Sequence, residues 1–204
     1  MSSLFFRVDP DGPVRILRLA SPDGTNRLTR ACVLALTVAI AELKNDLKGE
    51  LKEPLRPLIV AGNRQFFSVG ADLNEIAVLA GPEAYEFSVM GQALMSALAS
   101  YSAPVIAAVE GHCMGGGLDL ALACHRRIAA PHAIFGHRGA ALGLMTGWGG
   151  TQRLPRLIGK SRALELFVAA EKVSAARALE IGMVDAIADD PVAEAMNQLA
   201  ARSS

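Results

Sequence analysis

The sequence predicts an α/β fold built on a largely parallel sheet. Runs such as Leu58-Ile59-Val60-Ala61 and Val105 to Val109 are apolar throughout rather than alternating. That is the pattern of strands covered on both faces. Segments with helical spacing separate them, which places helices between successive strands. The chain has 204 residues, of which 51% are hydrophobic, enough for one domain with a substantial core.

Leu4 to Val8, Asp9-Pro10-Asp11-Gly12 and Val14 to Leu19 read as a β-hairpin. After a turn at Ser21-Pro22-Asp23-Gly24, Thr29 can cap a helix running to about Leu47, with Leu36, Ile40 and Leu43 on one face. Pro54 and Pro57 precede the strand at Leu58. A second helix starts at Pro82, where Phe87, Met90, Leu94 and Leu98 recur at helical spacing, and Pro104 precedes the next strand. Gly115-Gly116-Gly117 leads into a helix through Cys124, followed by a strand from Arg127 to Ala130. Beyond the glycine-rich stretch Gly136 to Gly150, helices are expected over Gln152 to Ile158, Ser161 to Ala169 and Ser174 to Ile181. One domain spans 1–204, with a core to residue 188 and a short tail or helix over 189–204.

Twenty basic and twenty acidic side chains leave no net charge and no basic stripe, which argues against nucleic acid as a partner. The mean hydropathy of +0.32 fits either an Ala-rich core or apolar surface buried in an oligomer, and the second reading is preferred. Phe87 to Val109 carries no charge, but its Gln92, four serines and Pro104 fit a buried helix, turn and strand better than a membrane span. Cys32, Cys113 and Cys124 form no framework, and no basic leader precedes an apolar run. Both point to a cytoplasmic protein with reduced thiols. No His and Cys spacing suggests a metal.

Two segments carry the chemistry. Phe67-Ser68-Val69-Gly70-Ala71-Asp72 follows one strand, and Gly111-His112-Cys113-Met114-Gly115-Gly116-Gly117 follows another and opens a helix. The first N–H groups of a helix lack internal acceptors, and glycines let a ligand come close to them. Two such donors from separate loops, aimed at one oxygen, make an oxyanion hole. The triplet has neither the Lys-Ser/Thr ending of a Walker loop nor dinucleotide-fingerprint spacing, and a tight strand–helix turn explains it equally well when taken alone.

These segments, with Pro104 to Gly111, Gly115 to Ala121 and Gly149-Gly150-Thr151-Gln152-Arg153-Leu154, resemble the crotonase (enoyl-CoA hydratase/isomerase) superfamily over essentially the whole chain. The resemblance implies a crotonase-like ββα superhelix with a helical C-terminal part, assembled as a homo-trimer or a dimer of trimers. It implies an acyl-CoA thioester as partner, with coenzyme A as part of the substrate and no separate cofactor. The oxyanion donors map onto the N–H groups of Ala71 and Gly116. The clasp on coenzyme A maps onto Arg27 and Asn74, beside Ala71, Asp72 and Gly116.

The first catalytic acid of the family's hydratases maps onto Asp119 and the second onto Gly139. No carboxylate lies between Asp119 and Glu165. His137, two residues from Gly139, is the possible substitute base, and His112 borders the expected ligand tunnel. Asp72 also reads as a helix cap. A glutamate restored at 139 is expected to raise hydration. Family members continue beyond the positions matching Asp189-Asp190-Pro191 with helices that roof the site. An enoyl-CoA hydratase is the leading expectation. The alternatives are an isomerase, hydrolase or decarboxylase of acyl-CoA, or a non-catalytic acyl-CoA-binding or subunit-interaction protein.

Overall fold

The computed structural model describes residues 3–9, 12–45 and 55–201. Pro10 and Asp11 of the expected hairpin turn, the expected helix end near Leu47, and Pro54 lie outside them. β1 (Phe6–Asp9) and β2 (Arg15–Leu19) pair antiparallel, and β3 (Arg27–Leu28) leads to α1 (Arg30–Asn45). The Thr29 hydroxyl caps α1 by accepting from the Cys32 N–H at 3.2 Å. Then follow β4 (Leu58–Ala61), β5 (Phe66–Ser68), β6 (Gly70–Ala71), α2 (Leu73–Ala77) and α3 (Gly81–Ala99). Next come β7 (Val105–Val109), β8 (His112–Met114), α4 (Gly116–Ala123), β9 (Arg126–Ala129) and β10 (Ile134–Gly136). A 3₁₀ turn (Gly139–Leu142) precedes α5 (Gly150–Ile158), α6 (Lys160–Ala169), β11 (Val173–Ser174), α7 (Ala175–Glu180), β12 (Ala186–Ile187) and α8 (Pro191–Ala200).

The strands come in pairs that divide between two sheets. β4, β7 and β9 join a six-stranded sheet ordered β1-β2-β4-β7-β9-β12, parallel except at β1. Their partners β5, β8 and β10 join a four-stranded sheet ordered β11-β10-β8-β5. Each strand pair is followed by a helix or a helical segment, so the chain winds as a succession of ββα turns. This is the expected superhelix.

The uniformly apolar strands lie between two cores. Leu58, Val60, Val105, Ala107 and Val109 face the main core with α1, α3 and α4. Their neighbours Ile59, Ala61, Ile106 and Ala108 face Ala195 and Leu199 of α8 on the other side. Both faces being covered is why no polar residue interrupts these strands. The helix α8 therefore lies on the outer face of the large sheet. Asp190 caps it, accepting from the N–H groups of Val192 and Ala193 at 3.0 and 2.9 Å.

Arg127 is buried within β9, where a lone charge would be costly. Its guanidinium donates to the carbonyls of Met183 and Cys124 at 2.8 and 3.0 Å and to Asp185 at 3.2 Å. These bonds tie β9 to the segment entering β12.

Candidate active site

The first loop is held by side chains that sequence reasoning did not single out for that task. Asn26, almost fully buried, donates from its amide to the carbonyls of Phe66 and Phe67 at 2.9 and 3.1 Å. The buried Ser68 hydroxyl donates to the Asn26 carbonyl at 2.7 Å and accepts from the Gly70 N–H at 3.0 Å. Gly70 has φ +91°, and a Cβ there would stand 2.6 Å from the Met114 carbonyl oxygen and 2.9 Å from the Gly116 nitrogen. Only glycine lets the two loops come this close.

The second loop ends in Gly115, whose φ of 50° and ψ of −120° also require glycine. Gly116 is the first residue of α4, so its N–H has no acceptor within the helix. The Ala71 nitrogen lies 3.3 Å from the place a Cβ on Gly116 would occupy. The two nitrogens named from the sequence are therefore neighbours across the loops.

Asp119 sits in the first turn of α4 and is fully buried. Its Oδ2 accepts from the Thr146 hydroxyl. Its Oδ1 lies 3.1 Å from His137 Nε2, a pair close in distance but not aligned as a hydrogen bond. The His137 ring packs on Phe167, with centroids 5.3 Å apart. Gly150, at the start of α5, leaves room for this pair. A Cβ on Gly150 would collide with Asp119 Oδ1 and stand 2.9 Å from His137 Nε2. Burial lowers the Arg153 guanidinium below its ordinary value, and the charge of Asp119 opposes that shift.

Ala71, Gly116, Asp119 and His137 all line one cavity of about 410 Å³. Its walls are otherwise mainly apolar, with Leu73, Ile76, Leu79, Phe87 and Leu144 among them. Trp148 forms one side. Its ring lies 2.5 Å from where a Cβ on Gly116 would be, and its indole N–H donates to the Phe87 carbonyl at 3.1 Å. Neither Thr146 nor Trp148 stood out as a site residue from the sequence. The available signal was the chain's single tryptophan inside its glycine-rich stretch.

Other expected residues have different surroundings. Asp72 caps α2, accepting from the Asn74 N–H at 2.8 Å, and that bond together with Arg27 holds its carboxyl below the usual range. Arg27 lies between Asp72, at 3.4 Å, and Asp23, at 3.6 Å. Neither Arg27, Asp72 nor Asn74 is in the cavity wall. In this structure Asp72 serves as a helix cap and Arg27 pairs with carboxylates. A phosphate at Arg27 would have to compete with two carboxylates.

His112 is also outside the cavity wall and packs against Phe66, with centroids 5.7 Å apart. Gly139 is in the wall, but a Cβ there would lie 2.6 Å from the Leu144 carbonyl oxygen. Among the described residues no group of three or more His, Cys, Asp or Glu stands together as a metal site. None of their helices is long and apolar enough to cross a membrane.

Comparison with known proteins identifies the family. Residues 11–203 match the family model described as enoyl-CoA hydratase/isomerase. A Bacillus subtilis protein named "Probable enoyl-CoA hydratase" is 44% identical over 151 residues, covering 72% of this chain and 58% of the relative. This chain thus spans less than two thirds of that relative's length. A short-chain-enoyl-CoA hydratase of Clostridium acetobutylicum is 33% identical, covering 89% of this chain and 68% of the relative. The crystal structure of an enoyl-CoA hydratase from Bacillus anthracis superposes with a TM-score of 0.86 at 32% identity, over 96% of this chain and 75% of that one. With the ββα winding and the paired glycine loops also present, the chain belongs to the enoyl-CoA hydratase/isomerase family.

Proposed function

We propose that the chain is an acyl-CoA-processing enzyme that adds water across the double bond of a 2-enoyl-CoA. The observation that carries this reading is the meeting of the Ala71 and Gly116 nitrogens beside a buried carboxylate, on the wall of one apolar cavity. The N–H groups of Ala71 and Gly116 hold the thioester carbonyl oxygen. Charge grows on that oxygen as water attacks the β-carbon, and a single preorganised donor of this kind contributes about 10²–10³ in kcat. Asp119 manages the proton, because α4 fixes it to the same rigid element that presents the Gly116 N–H. His137 Nε2 faces its other oxygen at 3.1 Å. The enoyl-CoA hydratase names of the Bacillus and Clostridium relatives support the same substrate class.

The chain forms a trimer or a dimer of trimers in this reading, which the apolar pairs exposed on α1 (Leu34, Val38) and α6 (Leu164, Val168) support. Three buried free thiols fit a reducing cytoplasm. The test is an assay of short and medium 2-enoyl-CoA esters, followed by loss of the conjugated thioester absorbance. Hydration yielding a 3-hydroxyacyl-CoA supports the reading. Release of free coenzyme A thiol, or migration of a 3-enoyl double bond without hydration, would replace it with hydrolase or isomerase chemistry.

A further inference from the structure

Asp119 lines the cavity yet has 0% exposure. Thr146 is only half-buried, lines the cavity, and donates its hydroxyl hydrogen to Asp119 Oδ2. A hydroxyl that donates its own hydrogen retains acceptor capacity for a second partner. Its place is fixed by the residues that follow it. The Gly147 carbonyl accepts from Ser88 Oγ at 2.9 Å and from Gln92 Nε2 at 2.8 Å, and the Trp148 indole is tied to the Phe87 carbonyl at 3.1 Å. Three residues of α3 thus clamp the segment that carries Thr146. They include Ser88 and Gln92, polar residues in a stretch that is otherwise mostly apolar.

We infer that Thr146 is a catalytic residue standing between Asp119 and the water that adds, so that the proton travels through its hydroxyl. This rests on the hydratase reading. As the water oxygen bonds to the β-carbon, the double-bond electrons move to the thioester oxygen at Ala71 and Gly116. One water proton passes to Thr146 Oγ1 while the Thr146 proton passes to Asp119 Oδ2. The relay then reverses. Asp119 returns its proton to Thr146, Thr146 delivers one to the α-carbon, and the enolate collapses to the saturated thioester. The elements of water are conserved and one carboxylate serves both halves, which accounts for an active site with glycine at 139.

The test compares Thr146→Val, which keeps shape and removes the hydroxyl, with Thr146→Ser, which restores it. Both are measured on a 2-enoyl-CoA that the unaltered chain hydrates, and folding is checked by circular dichroism. The inference expects kcat to fall by about 10²-fold or more in Thr146→Val with KM within about threefold, and serine to recover most of the loss. Turnover within threefold of the unaltered chain in Thr146→Val overturns the relay. So does a loss that serine does not repair, or one appearing mainly in KM, since either marks a structural role. Absence of hydration by the unaltered chain would overturn the hydratase reading and the relay with it, an outcome distinct from a silent Thr146→Val in an active background.

Discussion

A carboxylate with no exposed surface is costly unless its oxygens are engaged. Asp119 has the Thr146 hydroxyl on one oxygen and the His137 ring 3.1 Å from the other. Asp119→Asn keeps the size and removes the exchangeable acid, so kcat/KM should fall by at least roughly 10²-fold with acyl-CoA affinity nearly unchanged. Steady-state kinetics beside equilibrium binding separate the two effects. His137 gives a second, graded test. A glutamine there keeps a polar group facing Oδ1 and should retain turnover within about tenfold. His137→Leu puts an apolar side chain against that oxygen in place of a polar ring and should lose about ten- to a hundredfold. A loss in His137→Gln as deep as in Asp119→Asn would move proton transfer to the imidazole.

At the scale of elements, α5 matters because its first residue has no side chain. Gly150→Ala would ordinarily favour a helix by up to about 1 kcal/mol, but here the methyl group runs into Asp119 Oδ1. The expected outcome is a fall of at least about tenfold in kcat with no gain in melting temperature. A more stable variant with unchanged activity would contradict the packing described around Asp119. Gly139→Glu is the companion case. The sequence alone suggests that restoring the acid raises hydration, but the added Cβ meets the Leu144 carbonyl at 2.6 Å, and Leu144 N–H donates to Gly139 at 2.8 Å. The 3₁₀ turn must shift to admit it, so hydration should not rise, and kinetics of the single variant check this.

The long elements were legible because their pattern is local: β4 and β7 are apolar at every position, and α3 repeats Phe87, Leu94 and Leu98. β3, β5, β6, β8, β10 and β11, at two or three residues each, are too short for any period to show and exist through distant pairing such as Phe135 with Cys113. The two glycine loops were legible in the sequence, and the family resemblance pointed to the nitrogens of Ala71 and Gly116 within them. Thr146 was not legible, because its meaning lies in a contact across 27 residues to Asp119.

For the whole molecule, burial sets the reactivity of its thiols. It pushes Cys32 and Cys124 up to about 12, and Cys113, buried beside Cys124 and Asp119, well above the ordinary thiol value. A raised value leaves almost no thiolate near pH 8, so a thiol reagent should label none of the three in the folded protein and all three in denaturant. Rapid labelling of the native chain would mean that its core opens readily. The exposed apolar pairs on α1 and α6 lead to an expected trimer or hexamer in sedimentation, and a monomer at micromolar concentration would contradict it. The central claim, that two backbone N–H groups hold a thioester oxygen, is tested most directly by a crystal structure with a bound acyl-CoA. The account predicts that oxygen about 2.7–3.1 Å from the nitrogens of both Ala71 and Gly116. A thioester oxygen elsewhere, with both N–H groups bonded to protein, would contradict it.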